Sequence, residues 1–140
     1  MVKMASKLTY GNEISDWQER LNTDRLRRER IERARKIMHK HHIPVLLEAN
    51  PSNIRYLTGL RGFNYPMCRY VLFFAEHDPV MYEHSGHFHQ MPDQAPWIKE
   101  WRPARAWLTG ACGTEASKYE AKQFAADIKK ELKSRGLLGE

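Results

Sequence analysis

Two groups of histidines are spaced closely enough to bring ring nitrogens together: Glu83-His84-x-x-His87-x-His89 and His39-x-His41-His42. Imidazoles and a carboxylate at the first spacing can converge on zinc, and a zinc ion with one open position can activate water. No fourth ligand and no HExxH helix accompany His84, His87 and His89, so they read first as a polar loop and only second as a metal site. The second group falls where a long helix should end, a place where histidines complement the helix dipole. Covalent catalysis has less to draw on. Cys68 and Cys112 lack CxxC or Cys/His spacing and an evident base, and read as reduced structural thiols. The residues therefore assign no catalytic group and no cofactor to the chain.

Charge offers a different chemistry. The net charge is +6 and the pI is near 9.4, as in many nucleic-acid binders. The arginines and lysines between Arg20 and Lys40 alternate with Glu19, Asp24, Glu29 and Glu32. Several acids stand three or four residues from a base, the spacing of helix-surface pairs, which favours a solvated, salt-bridged face over a phosphate-tracking stripe. Arg102 and Arg105, beside Trp101, are suited to an anionic ligand, or equally to simple alternation on a strand. Trp97, Trp101 and Trp107 fit either a core or an interface.

The elements that must position these residues are legible in the hydrophobic pattern. With 140 residues, 41% hydrophobic and 29% charged, the chain has the composition of one globular domain. No run approaches the roughly 18 apolar residues of a membrane span, and the first residues lack a signal-peptide core, so a cytoplasmic protein is expected. Residues 1–13 carry no period and read as a flexible arm, and Ile14 to Leu21 suit a short helical turn. Asn22-Thr23-Asp24 then caps a helix from about Asp24 to His41, with Leu26, Ile31, Ala34, Ile37 and Met38 on one stripe. Arg27 and Arg30 intrude on that stripe and must snorkel or meet carboxylates. Ile43-Pro44-Val45-Leu46-Leu47 has the continuous apolar character of a central strand buried on both faces. Arg69–Ala75 and Pro79–Glu83 form an antiparallel hairpin, residues 84–97 a long polar loop, and Trp101–Leu108 a fourth strand. A last helix starts at Thr114 or at Ser117, where Glu120 three residues on completes a capping box, and Ala121, Phe124, Ala125, Ile128 and Leu132 share one face.

Between the first strand and the hairpin lies Asn53-Ile54-Arg55-Tyr56-Leu57-Thr58-Gly59-Leu60, followed by Gly62-Phe63-Asn64-Tyr65-Pro66-Met67. A basic helix, an apolar strand, Asn-Ile-x-Tyr-Leu-Thr-Gly, a Val-Leu-Phe-Phe strand and a segment around Trp101 occur in that order. Over about residues 20–138 this arrangement resembles the N-terminal domain of the creatinase, prolidase and aminopeptidase P family, the pita-bread metallohydrolases. The resemblance implies an α/β fold, a mixed β-sheet with flanking helices and a ribonuclease H-like topology, spanning residues 14–140. It also implies truncation before the last strands, because family members continue past the position of Gly136–Glu140 into another strand.

Family members carry a C-terminal catalytic domain in which two Asp, one His and two Glu hold a divalent metal pair in the peptidases, whereas creatinase works without metal. The resemblance thus implies a hydrolase parent of Xaa-Pro dipeptidase, aminopeptidase P or creatinase type, or a lyase on the same scaffold. This chain would then be its non-catalytic domain, inactive alone, serving dimerisation and active-site access. In creatinase-like dimers the corresponding loop reaches the neighbouring subunit's active site with an aromatic and a basic side chain. The matching positions here are near Tyr65 and Met67, with Arg61, Phe63 and Arg69 alongside. Methionine at the basic position departs from a creatine-carboxylate contact, and packing of Phe63, Tyr65 and Met67 at a domain or dimer seam is an equal reading. Asn53, Tyr56, Leu57, Thr58 and Gly59 are then structural motif residues. The partners implied are a second copy and a catalytic domain, with no membrane, and with nucleic acid disfavoured. A free-standing basic binding module for nucleic acid or protein is the alternative, marked by binding that weakens steeply with salt.

Overall fold

The computed structural model describes residues 22–60, 69–106 and 113–138. Asn22 opens helix α1 (Thr23–Lys40) by accepting the Arg25 backbone N–H on its side-chain oxygen at 2.8 Å, which satisfies one of the orphan donors of the first turn. The helix ends at His41, and His42 takes a left-handed φ of 54° that turns the chain into strand β1 (Val45–Glu48). Helix α2 (Pro51–Thr58), strands β2 (Tyr70–Phe74) and β3 (Val80–Glu83), the single-turn helix α3 (Met91–Gln94), strand β4 (Glu100–Pro103) and helix α4 (Thr114–Ser134) follow.

The four strands lie in chain order. β1 and β2 run antiparallel, as do β2 and β3, whereas β4 lies parallel to β3. The sheet is therefore mixed, and its fully buried strands are β2 and β3. Alternation along β2 divides the core in two. Val71 and Phe73 face α1, α2 and α3, packing with Met38, Ile54, Leu57, Leu60, Met81 and Met91. Tyr70, Leu72 and Phe74 face the other way, with Val80 and Tyr82, and are covered by Phe124, Ile128 and Leu132 of α4. A three-layer α/β domain results. Among the described residues no helix is long and apolar enough to cross a membrane.

Several expectations change. β1 is an edge strand, not a central one, and Leu47 is 49% exposed, since no neighbour among the described residues covers its outer side. The stretch 84–97 is not simply a polar loop: α3 carries Met91 into the core, followed by Ala95 and Ile98. In α4 the Ser117–Glu120 capping box does not form. Of the two expected starts the helix takes Thr114, after Gly113, and Ser117 is already buried one turn inside. Ala121 and Ala125 are exposed, leaving a narrower apolar stripe flanked by charges. Ile37 of α1 is likewise half exposed.

Candidate domain-facing site

The residues singled out for partner access, Arg61, Phe63, Tyr65 and Met67, lie outside the described residues; the two ends of their loop do not. The Asn-Ile-x-Tyr-Leu-Thr-Gly segment builds the first end. Asn50 caps α2, accepting from the Ser52 and Asn53 backbone N–H groups at 2.9 and 3.3 Å. Pro51 occupies the first helical position, where its missing N–H costs nothing. Asn53 donates from its side-chain amide to Glu48 at 2.9 Å, while Glu48 also accepts the Asn50 N–H at 2.7 Å. The exit of β1 and the start of α2 are thus stitched together.

α2 buries Ile54, Leu57 and Thr58 and ends at Gly59, whose φ of 74° lies in the left-handed region. Thr58 donates its hydroxyl to the Ile54 carbonyl at 2.7 Å and accepts the Leu60 N–H at 3.1 Å. Trp97 donates its indole N–H to the Thr58 carbonyl at 2.8 Å, and Arg27 lies 4.2 Å over the Trp97 ring while bonding Asp24 at 2.9 Å. The intruding arginine of α1 therefore finds both a carboxylate and an aromatic face, and Arg30 lies 5.3 Å over Tyr56. Leu60, 4% exposed, ends this run inside the core.

Arg69 builds the other end. Its Nε donates to Glu83 Oε2 at 2.7 Å, and the two side chains are 6% and 1% exposed. The remaining Glu83 oxygen accepts the His84 N–H at 3.0 Å. Arg69 Nη2 rests 3.9 Å from the Met91 sulfur. Arg69 is held inside the domain, next in the chain to the expected access residues. Sequence reasoning missed the pair, although its signal was present. The register Tyr70 opposite Tyr82 and Leu72 opposite Val80 sets residue 69 directly across from 83, and opposite charges there are a favourable cross-strand pair.

The histidines do not gather into a ligand set. His84 Nδ1 accepts the Gly86 N–H at 3.1 Å, the His84 and His87 rings are 5.9 Å apart, and His89 packs edge-on against Phe88 at 5.4 Å. Among the described residues no cluster of three or more His, Cys, Asp or Glu is placed to hold a metal ion. His39 instead faces Glu76 at 3.4 Å. Cys68, Cys112 and Trp107 lie outside the described residues.

The arginines of β4 and the segment after it are engaged with α4. Arg102 meets Glu131 at 3.0 Å and Glu100 at 3.1 Å. Arg105 meets Asp127 at 2.8 Å, which holds its guanidinium above its ordinary pKa. Arg135 bridges Glu100 and Glu131 and lies 4.7 Å over Phe74. These contacts lock α4 to the sheet. On α1, Arg25 pairs with Glu29 at 3.3 Å, in keeping with an ion-paired face.

No curated protein matches the chain. A proline dipeptidase from Streptococcus agalactiae 2603V is a similar solved structure, with 15% identity, a TM-score of 0.45 and coverage of 61% of this chain and 67% of that one. Residues 30–135, from the middle of α1 to the end of α4 and including the whole sheet, match the creatinase/prolidase N-terminal domain. With that match spanning more than half of its length, the chain belongs to the creatinase/prolidase N-terminal domain family.

Proposed function

We propose that this domain is the non-catalytic N-terminal part of an Xaa-Pro peptidase- or creatinase-type hydrolase. It pairs two subunits and narrows access to a metal-dependent catalytic domain outside these 140 residues. The observation that supports this reading is the clamping of both ends of the 61–68 loop into one core. Leu60 and the hydrogen-bonded Thr58 fix its start, and the buried Arg69–Glu83 pair fixes its end, with Met91 touching the same cluster. A loop held at both ends by a rigid scaffold is where binding residues are usually carried. Arg61, Phe63, Tyr65 and Met67 are the side chains it offers to a partner, and Arg102, Arg105 and Arg135, engaged by the acids of α4, leave that role to this end of the molecule.

The test has two arms. The pure chain, supplied with manganese, cobalt or zinc, should turn over neither an Xaa-Pro dipeptide nor creatine, and robust turnover would overturn the non-catalytic reading. In the protein joined to its catalytic domain, Tyr65→Ala should raise KM and leave kcat largely intact, the signature of lost binding rather than lost chemistry. An unchanged KM would remove the access role.

A further inference from the structure

α1 and β1 do not close evenly against each other. Ala34, Ile37 and Met38 of α1, Ile43 and Leu46, and Tyr56 of α2 line a groove of about 360 Å3, with Arg33 at its edge. Ile37 is 51% exposed and Ile43 36%, so apolar surface stands open to water. Along the same side of α1, Arg33, Lys36 and Lys40 are exposed and surround Ile37 at helical spacing. The groove therefore suits a segment with apolar anchors and acidic flanks.

One segment of this protein has that composition. Ile14, Trp17 and Leu21 recur at i, i+3 and i+7, and Glu13, Asp16 and Glu19 outnumber the single base Arg20, which is the pattern of an acidic amphipathic turn. Chain length decides whose groove it can enter. Arg33 to Met38 lie roughly 16–24 Å along α1 from Asn22 at 1.5 Å per residue. Trp17 reaches at most about 18 Å from Asn22 when fully extended, and Leu21 one residue's length. The three anchors cannot enter the groove of their own chain together, but they can enter that of a second copy.

The geometry points to an arm-exchanged homodimer in which residues 13–21 of each copy dock in the apolar groove between α1, β1 and α2 of the other. This inference rests on the dimer proposed above and names its contact surface. Each copy gives one arm and receives one, so the exchange is isologous and closes at two subunits. Trp17 is the central anchor, placed between Ile37 and Tyr56, and Arg33, Lys36 and Lys40 face the acids of the arm.

Analytical ultracentrifugation of the full chain tests this with two variants that leave the core untouched, Trp17→Ala in the arm and Ile37→Glu in the groove. Circular dichroism checks folding, and Ile43→Glu replaces Ile37→Glu if that variant unfolds. The wild type should be a dimer, and each variant should dimerise at least about 30-fold more weakly, as for loss of a central anchor. Mixed together, the two variants should form a heterodimer, because the Ile37→Glu chain retains an arm and the Trp17→Ala chain retains a groove. A wild-type dimer with both variants still dimeric overturns arm exchange and leaves the dimer standing on another surface. Variants that weaken the dimer but do not complement each other also overturn it. A monomeric wild type overturns the exchange and the pairing role of this chain together.

Discussion

Arg69, immediately before β2, and Glu83 at the end of β3 face each other as a buried ion pair, Nε to Oε2 at 2.7 Å, at the point where the chain enters the sheet after residues 61–68. Burying two charges costs several kcal/mol each before their attraction is counted. The pair is therefore a poor source of stability and a strong source of geometry, since it fixes where the chain enters β2.

Breaking one side should be severe. Arg69→Met leaves Glu83 buried without its cation, and a loss of about 3–5 kcal/mol is expected for such a half-pair. Replacing both, as Arg69→Met with Glu83→Leu, should recover most of that loss. Urea denaturation of the three proteins checks this; a double variant as unstable as the single one would show that the pair stabilises the fold outright.

Tyr82 presents a different buried polar group. Its hydroxyl has no hydrogen-bond partner among the described residues, and its ring stacks on Tyr70 at 4.5 Å. Burial, followed by the nearby Glu131 carboxylate, pushes the phenol pKa well above its ordinary value. The unfolded chain ionises near pH 10 while the folded one resists. The stability linked to this group is fully present below about pH 10 and declines as pH rises beyond it. Tyr82→Phe should be neutral or slightly stabilising at pH 7, because an unsatisfied hydroxyl is removed. It should also flatten the loss of stability above pH 10. Denaturation midpoints across that range decide the matter, and an equally steep fall in the variant would assign the alkaline loss to other groups.

α2 is held at each end by one residue. Asn50→Ala removes the cap on Ser52 and Asn53 and should cost about 1 kcal/mol. Gly59→Ala forces a side chain onto a φ of 74° and brings a Cβ to 3.2 Å from Arg27 Cδ; a similar cost of about 1 kcal/mol is expected. The two ends are separated by some 12 Å of helix, so the losses should add to within about 0.5 kcal/mol. Thermal or urea unfolding of the single and double variants measures the sum.

The sequence by itself determined the local elements and the family pattern, because both are written in short-range chemistry. Asn22 and Asn50 accept backbone N–H groups within three residues, Gly59 is the residue that tolerates the left-handed end of α2, and the period of Phe124, Ile128 and Leu132 marks the buried side of α4. The Tyr70–Glu83 hairpin was readable for the same reason, as two apolar runs joined by a short turn. Tertiary structure alone decided which surfaces pack against each other. Apolar β1 reads as central, yet it lies at the edge, because strand order is set by long-range pairing that no local window contains. Arg69 reads as the start of a strand beside the access residues, and only the hairpin register brings it opposite Glu83. Arg102 and Arg105 read equally as ligand-facing or as strand alternation until α4 delivers Glu131 and Asp127 to them. Charges separated by tens of residues find each other only after the chain has packed, and that packing leaves the segment between Leu60 and Arg69 and the basic-rimmed groove as the surfaces proposed for partners.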